Sequence, residues 1–420
     1  MRRRQLPTGI QDFPTIRGDD FYYVDKTPLI HRLVSTGRYY FLSRPRRFGK
    51  SLLVDTLRQL FTGNEPLFRG LHIHDHWDWS VEHPVVRLGL GGNYRDPGSL
   101  ENDVRTQLFI IEGHTGLNTV PNDLPGPYRL PILLDHLHRS TGERVVVLVD
   151  EYDKPILDVL DNPRRAKANR EYLCGLYGIV KDCAEHVRFV FVTGVSMFSK
   201  VSLFSGLNNL KDISLDPRYA TLCGYTDNDL DTVFAPELPG LDRKRVRDSY
   251  DGYRWLGEES VYNPFDILLL FDSHRFEPHW FTTGPPDFLY RTMLEQGVSA
   301  LDLENRIADK NLLSTFDVGN FSIDALLFQT GYLTIVSEDS GDAETFFTLD
   351  YPNGEVRGSL NRGLLAYLGQ PVKATHELGR AMCQQLVSND FEAFASSLQS
   401  LIGGIPYQWQ VRPEFGRYEA

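Results

Sequence analysis

Two rhythms of apolar and polar positions alternate along the first half of this chain. Short β-prone runs occur at "YYFL" (Tyr39–Leu42), "PVVRLGL" (Pro84–Leu90), "RVVVLVDEYD" (Arg144–Asp153) and "VRFVFVTG" (Val187–Gly194). Between them lie stretches with helical spacing. "SLLVDTLRQLF" (Ser51–Phe61) sets Leu52, Leu53, Leu57, Leu60 and Phe61 on a helical repeat. "SLENDVRTQLFIIE" (Ser99–Glu112) opens on Ser99, a candidate N-cap. The unbroken apolar run in the third strand predicts burial on both faces, as in a parallel sheet. Strands alternating with helices predict βαβ units, hence an α/β fold on a doubly wound sheet.

After about residue 235 the rhythm changes. "YNPFDILLLF" (Tyr262–Phe271) predicts a helix with Asn263 as N-cap, Pro264 in the first turn and Asp266 completing an approximate capping box. Helical patterns follow at Asp287–Gln296 and Ile323–Gln329, then a hairpin from "GYLTIV" (Gly331–Val336) and "TFFTL" (Thr345–Leu349). Phe391–Leu401 reads as an amphipathic helix. The expected organisation is an α/β domain over residues 1–235 and a mainly helical, winged-helix-like domain over 236–400. A last segment, 401–420, stands apart from both.

Composition narrows the partners. The net charge of −12 excludes a protein that coats nucleic acid, so DNA contact is expected only through a local patch such as Arg2–Arg4 or Asn162–Arg165. Neither a long uncharged apolar stretch nor an apolar run behind "MRRRQLPTG" occurs, which argues against a membrane span and a secretory signal. Cys174, Cys183, Cys223 and Cys383 form no C-x-x-C pair, as expected of a cytoplasmic chain. "HIHDHWDW" (His72–Trp79) would align three histidines for zinc or nickel if extended. A polar loop with packed tryptophans is the favoured reading.

The candidate chemistry begins at "SRPRRFGKSLL" (Ser43–Leu53), between the first strand and its helix. Gly49, Lys50 and Ser51 end a Walker A pattern, but Arg44 stands where its first glycine belongs. Such a turn cradles phosphate oxygens, here with Arg46, Arg47, Phe48, Gly49, Lys50, Ser51 and Leu52 as the binding residues. Lys50 would reach the β- and γ-phosphates of ATP, and Ser51 would ligate Mg²⁺. Asp150, at the end of the third strand, would complete the Mg²⁺ shell, and Glu151 would polarise the attacking water. Thr193, at the end of the fourth strand, is the candidate sensor of the γ-phosphate. It could equally be a β-branched strand residue. Arg46 and Arg47 could offset phosphate charge or pair with carboxylates across a boundary in a homo-oligomer. Asp12, Asp25 and Lys26 could shape an adenine pocket or tie down the N-terminus. "SLFSGLNNLKDISLD" (Ser202–Asp216) could report nucleotide state or be an ordinary connection.

Taken together, "SRPRRFGKSLL", "VVVLVDEYDKPIL", "VTGVSMFSKVSLFSGLNNLKDISLD", "SYDGYRW", "VYNPFDIL" and "LLFQTGYLTI" resemble the bacterial AAA-ATPase-like proteins. These couple a P-loop NTPase domain to a PD-(D/E)XK nuclease-like domain. The resemblance runs from about Leu6 to the end and implies that arginine at the first Walker A position is normal, so the loop is not expected to be a decayed one. It also implies that "PYQWQVRPEFGRYEA" opens a nuclease-like domain whose metal-binding carboxylates would follow. The sequence ends first, so a self-contained nuclease is not expected. The leading expectation is a Mg²⁺-dependent ATPase with a DNA-directed or defence-related role. The rivals are a nucleotide-binding switch with little turnover and a nucleic-acid binder dominated by the winged-helix-like part.

Overall fold

The computed structural model describes residues 3–403 apart from 118–119, 122, 198–203, 280–286, 310–311, 314–315, 318–319, 341–343 and 368–371. Five parallel strands, β1 (Tyr39–Ser43), β2 (Val85–Gly89), β3 (Val145–Asp150), β4 (Val187–Gly194) and β5 (Lys211–Asp212), form one sheet in the order β2-β3-β4-β1-β5. All six residues of β3 are buried, which is why its sequence shows no alternation. β4 lies between β1 and β3, so the loop strand and the acidic strand are not neighbours. Both strands run parallel and end on the same edge of the sheet, the edge at which α/β sheets bind ligands.

Helices complete the layers around the sheet: α1 (Phe13–Gly18), α2 (Thr27–Thr36), α3 (Lys50–Phe61), α4 (Ser99–Thr115), α5 (Gly126–Thr141), α6 (Lys154–Leu157) and α7 (Pro163–Asp182). α3 packs on β2, β3 and β4. Its buried face carries Leu53, Val54, Leu57, Leu60 and Phe61, close to the expected stripe. The cap of α4 differs from expectation. Gly98 precedes the helix, and the Ser99 hydroxyl instead donates to the Asp96 carbonyl at 2.7 Å.

Two further assemblies follow. The helices α8 (Asp227–Thr232), α9 (Arg243–Tyr250) and α10 (Pro264–Ser273) share a core with Tyr22 and Val24 of the N-terminal segment. Asn263 does cap α10, accepting the Phe265 amide at 2.9 Å. Asp266 does not close the box. It is buried, and its Oδ1 finds no partner. Next, an antiparallel sheet in the order Arg306–Asp309, Thr345–Asp350, Thr334–Ser340 carries the expected hairpin plus a third strand absent from the sequence pattern. Helices Asp287–Glu295, Ile323–Thr330 and Gly354–Tyr367 accompany it, and their core is continuous with that of the large sheet. Helices Val372–Val387 and Phe391–Gly403 pack on each other. Among the described residues no helix is long and apolar enough to cross a membrane. Of the expected segment 401–420, all beyond 403 lies outside the described residues.

Candidate functional site

β1 ends at Ser43 and α3 starts at Lys50, so six residues make the turn. Gly49, at φ 89°, caps α3 and leaves the first amides of the helix without intrahelical partners. Arg47 also adopts a left-handed conformation, φ 68°, which a non-glycine residue adopts at some cost and which clusters at functional sites. Lys50 is buried, and its ammonium donates to the Arg44 carbonyl at 2.9 Å and the Pro45 carbonyl at 2.8 Å. Burial pulls its pKa down; Asp150 and then Asp153 oppose that shift.

The atypical loop residues face the later part of the chain. Arg44 is fully buried and points away from the turn. Nη1 donates to the carbonyls of Ser43 and Ser214, each at 2.8 Å, and Nη2 to that of Tyr219 at 3.3 Å. The guanidinium stacks on Trp255 at 4.0 Å, and burial lowers its pKa to about 10. The Phe48 ring meets Tyr253 at 4.8 Å and Trp255 at 5.3 Å, both edge-on. Arg47 lies 3.8 Å over Phe265 in α10, with Nη1 buried and without a partner. Burial raises the neighbouring Asp266 to about 7, against the pull of Arg47.

The acidic end of β3 closes the other side. Asp150 is buried, and its Oδ1 accepts the Glu151 amide at 3.0 Å. Glu151 takes a left-handed φ of 54° that turns it out of the strand. A Cβ at Gly91 would lie only 2.8 Å from Glu151 Oε2, so glycine there leaves the carboxylate its room. Burial, then the Asp150 charge, raises the Glu151 pKa.

A cleft of about 680 Å³ joins these parts. Arg46, Arg47, Phe48, Gly49, Lys50, Ser51 and Leu52 all line it, and Glu151 and Asp153 line it opposite. Asp150 is buried and does not line the cleft. Thr193 is not brought to the cleft. It is fully buried and pairs with Leu42 across the sheet, and its hydroxyl donates to the Leu42 carbonyl at 2.8 Å. Of the two readings of Thr193, this is the placement of the strand residue; the cleft is reached instead by Val195, beyond the end of β4. The remaining wall includes Gly9, Ile10, Tyr22 and Tyr23 from the N-terminal segment and Phe265 from α10. Of the lead-in residues, Asp12 caps α1 and Asp25 accepts the amides of Thr27 and His72. Lys26 lines the cleft and pairs with Asp229 at 2.7 Å. These contacts tie the N-terminus to the body.

The volume suits a nucleotide, since small-molecule sites run to about 300–1,000 Å³. The donor set fits a triphosphate: a buried ammonium, free amides at a helix start, and an unpartnered Arg47 Nη1. The Ser51 hydroxyl and the Asp150 carboxylate are oxygen donors of the kind that would suit Mg²⁺.

Other candidates fall elsewhere. His72–Asp75 forms a 3₁₀ turn rather than a strand, so His72 stacks on His76 at 4.2 Å while His74 turns toward Glu65. Trp77 packs on Phe61 and Trp79 on Phe68, and no metal-binding cluster occurs among the described residues. Arg3 pairs with Glu237 and Arg4 with Asp20, while Asn162 caps α7. Asn208 accepts from Lys181, away from the cleft, and Ser202 and Leu203 lie outside the described residues. Sequence reasoning missed Asp153 and Phe265, which line the cleft, and Trp255, which packs on Arg44 and Phe48 behind it. Asp153 was within reach, three residues beyond Asp150; the others are distant in sequence and become neighbours only on folding.

Comparison with known proteins bears on the family. The family model described as predicted AAA-ATPase matches residues 7–204, from the N-terminal wall of the cleft to just past β4. A protein of Azotobacter chroococcum mcd 1, described as an uncharacterized protein in the vnfD 5′ region, is 50% identical over 422 residues, covering 100% of this chain and 81% of its own length. The chain belongs to the bacterial AAA-ATPase-like family.

Proposed function

We propose that this protein binds ATP with Mg²⁺ in the Lys50–Glu151 cleft and hydrolyses its γ-phosphate. One observation carries the reading: a buried lysine at the start of α3 and an outward-turned glutamate at the end of β3 face one cleft, with β4 between their strands. Lys50, freed from its two loop carbonyls, would hold the β- and γ-phosphates, and the amides of Gly49 to Leu52 would cradle them. Mg²⁺ would be held by Ser51 and Asp150 and would neutralise charge on the phosphates. Glu151, its pKa raised by burial and by Asp150, would orient and deprotonate water. Arg46 and Arg47 line the same end and would offset phosphate charge. In this reading residues 1–235 are the ATPase unit and 236–400 the unit it drives.

A DNA-directed output rests on family company alone. Helix Ile323–Thr330, which precedes the C-terminal hairpin, is buried from Ile323 to Gln329. The rival switch reading differs only in turnover.

The deciding experiment is ATP hydrolysis with Mg²⁺ by wild type, Lys50→Ala and Glu151→Gln, with and without DNA, alongside ATP binding. Hydrolysis that Glu151→Gln removes while ATP still binds supports the ATPase. Tight binding with no turnover supports the switch, and no binding sinks the site.

A further inference from the structure

The turn after β4, Val195 to Met197, is held from three directions. From β1, the Ser43 hydroxyl donates to the Val195 carbonyl. From the end of β3, the Tyr152 hydroxyl donates to the Ser196 carbonyl at 2.9 Å. One oxygen of Asp153 accepts the amides of Val195 at 3.0 Å and Ser196 at 2.6 Å, and the Ser196 hydroxyl at 2.5 Å. From helix Ile323–Thr330, Gln329 Oε1 accepts the Met197 amide at 2.9 Å, while its Nε2 donates to the Leu313 carbonyl at 2.7 Å.

Asp153, Ser196, Met197 and Gln329 are each at most 5% exposed. At such burial an unpaired amide or carbonyl is costly, so the turn moves only if one of its three holders moves with it. One end of the turn touches the candidate site: Val195 and Asp153 line the cleft with Lys50 and Glu151. The other end is bound to a helix of the C-terminal assembly, 132 residues further along the chain. Gln329 is also an odd choice for its place. Its neighbours Leu326, Leu327 and Phe328 are buried and apolar, and an amide among them is tolerated because both of its ends are bonded. It acts as a bracket rather than as core filling.

We propose that Gln329 is a positioning residue of the nucleotide site, holding the Val195–Met197 turn against the cleft so that nucleotide state and the seating of helix Ile323–Thr330 depend on each other. The inference rests on reading the cleft as an ATP site. Coupling of this kind is reciprocal in binding free energy: whatever seats the helix favours one nucleotide state, and that state favours the seated helix. The buried helix is then the post against which the turn works, not a surface for reading DNA.

The test uses the full chain and compares wild type, Gln329→Leu, Gln329→Glu and Leu349→Ala. Leu349 is a core residue of the C-terminal sheet with no part in the turn's hydrogen bonds. Gln329→Leu removes both bonds of the bracket. It should bind ATP within about threefold of wild type but lose about tenfold or more in kcat, the pattern of a displaced catalytic geometry. Gln329→Glu should recover much of that loss, because a buried carboxyl stays protonated and can both accept from Met197 and donate to Leu313. Leu349→Ala should lower Tm while leaving kcat near wild type. Wild-type kcat in Gln329→Leu, or a kcat loss in all three variants that follows Tm, overturns the proposal.

Hydrogen exchange of the Ile323–Thr330 amides gives a readout independent of turnover. ATP should raise their protection in wild type and not in Gln329→Leu. If ATP binds but leaves protection unchanged in wild type, this inference falls and the site reading stands. If ATP does not bind at all, the site reading falls first and takes the inference with it.

Discussion

The Arg44 guanidinium lies 4.0 Å above the indole of Trp255, facing away from the turn in which a phosphate would sit. A residue at the start of the turn between β1 and α3 is thereby bolted to the segment that leads into α10. The arginine is a structural substitute rather than a damaged glycine: it satisfies three carbonyls and fixes the entrance of the turn.

Restoring the usual glycine should therefore harm the protein. Arg44→Gly leaves the carbonyls of Ser43, Ser214 and Tyr219 without these donors and opens a cavity beneath Trp255. A loss of about 3 kcal/mol or more is expected, measured by denaturant unfolding. Arg44→Lys should recover little, because one ammonium can neither span the carbonyls nor stack as a plane. A stable Arg44→Gly variant would contradict the bolt.

Glu151 should set the acid limb of any ATPase activity. Its pKa is raised from the ordinary 4.5 by burial and by Asp150, and the base must be ionised to act. Turnover should thus fall as pH drops through a midpoint above 4.5, while ATP binding declines less. A pH series of kcat checks this. Glu151→Gln should lower kcat by about 100-fold or more, within the span of lost general-base catalysis.

Asp266 gives stability a pH dependence of definite sign. Its pKa rises from 3.8 to about 7 on folding, chiefly through burial. Between those values the native state keeps a proton that the unfolded chain has released, so this group makes stability fall as pH rises through that window. Asp266→Asn should remove the slope. It should stabilise the protein at pH 8, on the order of a few kcal/mol, and change little at pH 4. Thermal melts at the two pH values decide it, and equal shifts at both would refute the assignment.

Gly252 joins the segment before Trp255 to the C-terminal assembly. At φ 107° it occupies a conformation that other residues rarely adopt, and an added Cβ would lie 1.9 Å from the Pro352 carbonyl oxygen. Gly252→Ala should cost about 2 kcal/mol or more and loosen the Asn353 bond to the Asp251 carbonyl. Faster hydrogen exchange confined to residues 251–256 and 352–356 would mark local undocking. Unchanged exchange and Tm would show that the contact relaxes freely.

The sequence alone determined what depends on local pattern. The unbroken apolar run of Val145–Val149 marked a strand buried on both faces, and the stripe from Leu52 to Phe61 marked α3, though Leu52 itself is only partly buried. Gly49-Lys50-Ser51 and Asp150-Glu151, each placed at a strand end, were legible because a parallel sheet gathers its carboxyl ends on one edge. Tertiary structure decided what depends on distant partners. Thr193 sits at a strand end like the others, yet its hydroxyl turns to Leu42, a choice set by the register between β4 and β1. Arg44 showed in the sequence only as the residue standing where a first Walker A glycine belongs. Its place is set by Trp255, more than 200 residues away, which supplies the surface on which it stacks. Gln329 carried no signal at all. An amide in an apolar helix gains meaning only when folding sets the Met197 amide beside it, since a buried hydrogen bond is defined by both partners and sequence displays them one at a time.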